Sequence, residues 1–293
     1  MNLILEGPDG AGKTTLANHI KQAWPETIYH HHGPDKHLLS AELAAKYMVS
    51  LRPALRGADL VLDRSWLSEP IYASVYRGTA SRITQEQRRM LERAALQAGM
   101  VVVRCLPSEE QCVKTFLSGR EEMLDSTEQL RAVYQAYAAG LDTWLPIVDF
   151  DYTKDSLDEL LKRATTARQA YKPRVVLLGD RPAVRSLEQA VFAVPFVSFT
   201  GPGCSTWLAE QLNAEGIAEH ALIWFNAYGA EGRALSPSKL PVGIPVVALG
   251  NQAANWCVEH EVPCRLVPHP QAHKRFAFNE PYPLIKILKE ILG

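Results

Sequence analysis

Short apolar runs alternate with longer amphipathic ones along the chain, and the alternation restarts once. Residues 3–5 are an apolar strand and 14–23 suit a helix. Residues 26–32 form a short strand closed by Gly33-Pro34, and a helix is expected from 36 to about 55. Residues 58–63 are an apolar strand ending in Asp63, 84–98 an exposed helix, and 100–107 a continuous apolar run of the kind buried on both faces of a parallel sheet. A helix over 130–141, with Tyr134 and Tyr137 three apart as core residues, a fifth strand over 147–150 and a helix over 155–171 complete the series. Five strands alternating with helices predict an α/β fold, a doubly wound parallel sheet.

Lys172-Pro173 breaks the last helix, which puts a boundary at about Pro173 and domains at 1–170 and 173–293. Beyond it a second α/β pattern begins. A strand over 175–178 runs into Gly179-Asp180-Arg181-Pro182, and Val194-Pro195-Phe196 follows. Thr200-Gly-Pro-Gly203-Cys204-Ser205-Thr206 then opens a helix, and a strand over 221–226 ends in Asn226. A further strand over 246–249 and Arg265-Leu-Val-Pro268-His269-Pro270 close the pattern.

Length and charge narrow the classes. A chain of 293 residues can bury two cores, and 31 basic against 32 acidic side chains exclude a protein that coats nucleic acid by bulk charge. A local basic patch stays open: seven Lys or Arg and one acid lie between Lys162 and Arg185, either a nucleic-acid contact or a solvated face. Five cysteines without a Cys-x-x-Cys pair fit reduced, structural thiols. The chain starts directly as a strand and has no long apolar run, so neither signal peptide nor membrane span is expected, and the protein is read as soluble and cytoplasmic.

The chemistry starts at Gly7-Pro-Asp9-Gly10-Ala11-Gly12-Lys13-Thr14-Thr15, set between a strand and a helix. That is the phosphate-binding P-loop spacing in its required context. Backbone N–H groups of residues 7–15 would cradle phosphates, Lys13 would reach the β- and γ-phosphates, and Thr14 would hold magnesium, so ATP and Mg2+ are the expected cofactors. His30, His31 and His32 follow at a strand end, with His30 and His32 on one face; acceptor binding, metal ligation and plain hydrogen bonding are the readings there. Asp63 ends the third strand beside Arg64. It can hold hydrated magnesium or take a hydroxyl proton, while Arg64 can clamp phosphate.

Gly7 to Thr14 together with Asp63-Arg64-Ser65-Trp66-Leu67-Ser68-Glu69-Pro-Ile-Tyr72 resembles the thymidylate kinase and deoxynucleoside kinase group, including related nucleotide kinases of bacteriophages. The resemblance covers about residues 1–170. Asp-Arg-Ser is closer to the acid-Arg-Ser of deoxynucleoside kinases, in which the acid acts as base on a sugar hydroxyl. It also implies a mobile lid near residues 116–124, with Arg120 as the charge-stabilising candidate and Lys114 second; a helix-end ion pair of Arg120 with Glu121 or Glu122 is the alternative.

Residues 173–276 resemble the uracil-DNA glycosylase superfamily. The resemblance puts Asp180 at the water-positioning strand end, Phe196 where an aromatic stacks on an extruded base, Asn226 where an asparagine reads the base edge, and His269 on the glycosidic side. His269, His273, Lys274 and Arg275, with no acid between Glu261 and Glu280, would hold flanking phosphates. Gly-Asp-Arg-Pro-Ala departs from that family's Gly-acid-x-Pro-Gly, and no uracil excision is expected. Together the resemblances imply an ATP-dependent kinase acting on 5-hydroxymethyluracil in DNA, since similar kinases occur in phages that hypermodify thymine. A free thymidylate-type nucleotide kinase and a glycosylase with an ATP-binding domain are the other two readings.

Overall fold

The more continuous apolar runs seen in the sequence become inner parallel strands buried on both faces, while the edge strands stay partly exposed. The computed structural model describes residues 1–33, 37–118, 124–171, 173–181, 204–229, 231–276 and 280–293, and it divides into two compact units, Met1–Tyr171 and Lys172–Gly293.

In the first unit β1 (Asn2–Glu6), β2 (Ile28–His31), β3 (Leu60–Asp63), β4 (Val101–Cys105) and β5 (Ile147–Phe150) form one sheet in the order β2-β3-β1-β4-β5, all neighbours parallel. β1 is buried along its whole length, as expected of the central strand. Around the sheet lie α1 (Lys13–Ala23), α2 (Ser40–Leu55), α3 (Ser68–Tyr72), which runs on as a wide π-type turn over Ala73–Arg77, α4 (Gln85–Gln97), α5 (Glu109–Leu117), α6 (Thr127–Ala138) and α7 (Leu157–Ala170). Leu3, Leu5, Leu16, Ile20, Val103, Leu130, Val133 and Leu160 pack into a single core. Helix starts are set locally: Thr84 caps α4 and Ser156 caps α7, each answered by a Gln or Glu three residues on.

In the second unit β6 (Val175–Gly179), β7 (Leu222–Asn226), β8 (Val246–Leu249) and β9 (Cys264–Val267) give a parallel sheet in the order β7-β6-β8-β9. It is packed by α8 (Cys204–Ala214), α9 (Asn251–Glu259), α10 (Pro270–Phe276) and α11 (Pro283–Leu292). Clusters built on Leu177, Trp224, Leu249 and Leu284 on one face, and on Val176, Leu178 and Trp256 on the other, make this core separate from the first. Arg174 seats the last helix by donating to the carbonyls of Leu292 (2.6 Å) and Ile291 (3.0 Å).

The expected strands are found with ends that move by a residue or two: β1 and β6 run longer than expected, β5 and β8 match, and β2, β3, β4 and β7 are shorter. The short helix α3 with its π turn, the helix α5 before the lid region, and α9, α10 and α11 were not anticipated. The basic stripe is largely engaged locally: Arg163 pairs with Asp155 and Arg168 packs over Gly99, while Lys172 and Arg185 lie outside the described residues. Among the described residues no helix is long and apolar enough to cross a membrane.

Candidate functional site

The loop between β1 and α1 lies at the carboxyl end of the central strand, where neighbouring connections leave on opposite sides and a crevice opens. Its glycines have physical work to do. A Cβ on Gly7 would run into the carbonyl oxygen of Cys105 on β4; Gly12 caps α1 at φ 79°, where a Cβ would stand 2.7 Å from the Tyr152 ring. No side chain caps α1, so the N–H groups of its first turn are left for an anion. Lys13, only 6% exposed, donates to the carbonyls of Gly7 (2.9 Å) and Pro8 (2.7 Å), holding the loop closed on itself. Burial pushes its ammonium pKa down and Arg64 adds to this, against Asp9 and Asp63.

Parallel pairing of β1 with β3 puts Asp63 level with Leu5, directly beside that loop. Asp63 is fully buried. One oxygen, Oδ2, accepts from the Tyr29 hydroxyl (2.9 Å), His31 Nδ1 (3.1 Å) and the Thr14 hydroxyl (3.2 Å); the other, Oδ1, has no hydrogen-bond partner among the described residues. Burial alone would raise the carboxyl, but the bond from His31, the charge of Lys13 and the bond from Tyr29 together hold it below the usual aspartate value. Asp63 is therefore an ionised group with one oxygen spent and one open. No cluster of three or more His, Cys, Asp or Glu side chains among the described residues is placed to hold a metal ion, which leaves the histidine run without a metal site there. Magnesium beside a nucleotide needs less, since phosphates and waters supply most of its ligands, and the Thr14 hydroxyl next to Asp63 fits that demand.

Arg64 adopts φ 70°, uncommon for a residue with a side chain. Its guanidinium pairs with Asp9 of the phosphate loop and lies 4.7 Å above the Tyr72 ring. Burial works against its charge, but Tyr72 and Asp9 keep it firmly protonated. Asp9 Oδ2 is buried without a hydrogen-bond partner among the described residues. A cleft of about 870 Å³ joins these groups: the loop from Asp9 to Thr15, His31, His32, Asp63, Arg64 and Tyr72 all line it. Also on its lining, Glu69 receives Arg77 (2.5 Å) and Arg82 (2.9 Å), and His32 meets Tyr47 edge-on at 4.9 Å.

The sequence reading missed Glu69, Arg77, Arg82 and Tyr152 as cleft residues, and Tyr29 as a partner of Asp63. Tyr29 had a signal, being two positions from His31 on the same face of β2; both touch Asp63. Arg77 and Arg82 had none, because the π turn that brings Arg77 back to Glu69 leaves no mark in hydrophobic spacing. Lys114 lies on α5 away from this cleft, and Arg120 lies outside the described residues.

In the second unit, Asp180 and Asn226 stand at the carboxyl ends of neighbouring strands β6 and β7, and His269 follows β9. Asp180 Oδ1 accepts from the Ala253 N–H (2.8 Å), so this carboxylate caps α9. His269 Nδ1 accepts from the Gln271 N–H (3.1 Å); burial lowers its pKa, partly offset by Asp180. His273 is buried, bonded to the Glu280 carbonyl (3.0 Å) and packed against Trp207 and Tyr282, which removes it from the phosphate-holding set; Lys274 and Arg275 are exposed. Phe196 lies outside the described residues.

Fold and site define a mixed α/β protein whose first unit is a parallel-sheet P-loop unit with an ionised strand-end acid facing its phosphate loop. No protein-family model matches the chain, and no curated protein matches it. Among solved structures it is similar to the YorR protein of Bacillus subtilis in complex with phosphorylated GDP, at 18% identity over 58% of this chain and 96% of that one, TM-score 0.44. It is also similar to deoxyadenosine kinase from M. mycoides with dCMP and dCDP (15% identity, 58% of this chain, 100% of that one, TM-score 0.38) and with dCTP (16%, 58%, 100%, TM-score 0.35).

Proposed function

We propose that the chain is an ATP-dependent phosphotransferase that moves the γ-phosphoryl group of ATP onto a hydroxyl of a pyrimidine acceptor, with the hydroxymethyl group of 5-hydroxymethyluracil in DNA as the preferred one. The observation that carries the transfer chemistry is Asp63: ionised, buried, with an open Oδ1, in one cleft with the phosphate loop and Lys13. In this reading Asp63 Oδ1 receives the acceptor hydroxyl proton as that oxygen attacks the γ-phosphorus, and the β–γ bridging oxygen leaves with ADP. Lys13 and the first N–H groups of α1 take up charge on the phosphate oxygens, and Arg64 swings from Asp9 toward them. Bound magnesium, held by Thr14 and through water by Asp63, would neutralise the β- and γ-oxygens. Asp63 serves as base or as magnesium organiser; its tests are separable.

The DNA acceptor draws on the second unit, which presents Asp180, Asn226 and His269 at one sheet edge, with exposed Lys274 and Arg275 after them. One observation favours a free nucleotide instead: among the described residues, those that line the cleft belong to the first unit. The deciding experiment incubates the protein and labelled ATP with thymidylate, with hydroxymethyl-deoxyuridylate, and with DNA containing that base. Label in the DNA, above both free nucleotides, is the expected result; label only in a free nucleotide selects the nucleotide kinase.

A further inference from the structure

Glu6 ends β1 and is completely buried, yet it does not line the cleft. Its carboxylate collects three hydroxyls from two other parts of the unit: Ser65 donates to Oε1 (2.6 Å), and Ser68 (2.5 Å) and Tyr137 (2.8 Å) donate to Oε2. Burial pushes this carboxyl up, and the three hydroxyls pull it back. A carboxyl group so deep in a core is expensive, and the fold holds it with three hydroxyl donors.

The two serines follow closely on Arg64, the one cleft residue with a side chain at positive φ among the described residues. Arg64 sits at φ 70° between pinned neighbours: its own N–H donates to Leu5 O (2.9 Å), and the carbonyl of Asp63 accepts the His32 N–H (2.9 Å). On the other side Ser65 is tied to Glu6 and accepts the Leu67 N–H (3.1 Å), and Ser68 begins the helix that carries Tyr72 under the Arg64 guanidinium. Strain of this kind persists only where the surroundings over-determine it. We propose that Glu6 is a positioning residue of the phosphoryl-transfer site: through Ser65 and Ser68 it holds the turn after Asp63 and so aims Arg64 into the cleft. The proposal rests on the phosphotransferase reading of that cleft, and it assigns to Glu6 a role that the motif residues around it do not share.

Glu6→Gln keeps the shape and replaces one hydroxyl-accepting oxygen by an NH2 donor, and two readouts decide. The first needs no turnover. In protein labelled with 15N-arginine, the Arg64 Nε–H resonance, assigned by its loss in Arg64→Lys, should shift and exchange with water faster in Glu6→Gln; an unchanged resonance overturns the proposal. The second is kinetic: kcat should fall about tenfold while the KM for ATP stays within about threefold, and the same substitution made in Arg64→Ala should cost less than about twofold. Equal losses in the two backgrounds would mean that Glu6 acts independently of Arg64. Should Glu6→Gln fail to fold, Ser68→Ala, which removes one tether only, is judged by the same two readouts. If the wild-type protein labels none of the acceptors, the phosphotransferase reading falls, and the resonance still decides whether Glu6 positions Arg64.

Discussion

The two units use one architecture and spend their polar groups differently. Each aligns chemistry-bearing residues at the carboxyl ends of parallel strands. In the first, two buried carboxylate oxygens, Asp63 Oδ1 and Asp9 Oδ2, have no hydrogen-bond partner among the described residues, and both belong to residues lining one cleft. In the second, Asp180 is engaged by the α9 backbone, His269 by Gln271, and His273 is packed into the core. Leaving a buried acceptor unbonded costs about 1–3 kcal/mol, so a fold tolerates it where a ligand will complete the bond. By that measure the first unit keeps carboxylate oxygens free in its cleft, and the described part of the second has its strand-end Asp180 and His269 engaged by its own backbone.

The largest expected effect tests this division of labour. A chain ending at Tyr171 keeps its own sheet and core, so it should fold and bind ATP, yet lose all labelling of DNA that contains 5-hydroxymethyluracil. A base drawn from a duplex costs a few kcal/mol of lost stacking and pairing, and the first unit alone has no second surface to offset it. Faster labelling of free thymidylate by the truncated chain than of DNA by the full one would break the comparison and make the nucleotide kinase the right reading.

Within the first unit, Asp63→Asn should reduce turnover by about 10²–10⁴-fold, the usual worth of a general base, with ATP affinity far less affected. Titration of ATP against the variant separates the roles, because equal loss of affinity and turnover makes Asp63 the magnesium organiser. Lys13→Ala should reduce transfer by about 10²–10³-fold, a typical cost for a lost charge-stabilising donor, in a protein whose circular dichroism matches the wild type. Full activity in that folded variant would remove the phosphate-loop assignment.

How much of this could be read before the structure differs between the units for the same reason. The P-loop was legible because backbone geometry demands glycine where Cys105 and Tyr152 crowd the loop, and such demands show in a single sequence. Asp63 and Arg64 were legible as a strand end beside that loop. Of the rest of the cleft only the strand-end histidines His31 and His32 were legible; Glu69, Arg77 and Arg82 were not, because they meet through a π turn. In the second unit the succession of strands could be expected, but not their order in the sheet, nor that Asp180 would cap α9, since that contact depends on the pairing of β6 with β8.

A smaller effect sharpens the reading of the second edge. Asn226 ends β7 level with Gly179, half-buried, where a base edge could meet its amide. Asn226→Ala should raise the KM for modified DNA by about tenfold, the worth of a hydrogen bond or two, and leave the labelling of free nucleotides as it was. An unchanged KM for DNA would leave the second unit without base-reading chemistry at this position.

The smallest effect concerns the pH dependence of the first site. Asp63 must be ionised to accept a proton, so its pKa sets the acid limb of the rate profile. Burial pushes that pKa up, but the hydrogen bond from His31 leads the opposing influences, followed by the charge of Lys13 and the bond from Tyr29, and the net direction is downward. A carboxyl held low loses its proton early as pH rises. Turnover limited by Asp63 should therefore stay level down to about pH 5 and fall only as pH drops through the depressed value. His31→Ala removes the leading opposing influence while leaving Lys13 and Tyr29, so the acid limb should move to higher pH. The shift should be modest, because the His31 side chain is 51% exposed and solvent screens it. The same substitution has a stability counterpart with a fixed sign. The ionised Asp63 stabilises the folded chain above the unfolded aspartate pKa, and that contribution is lost as pH falls through the folded one, so His31→Ala should unfold at a higher pH on acid titration. An acid limb that stays in place in His31→Ala, with Asp63→Asn abolishing it, would show that Lys13 and Tyr29 alone keep Asp63 charged.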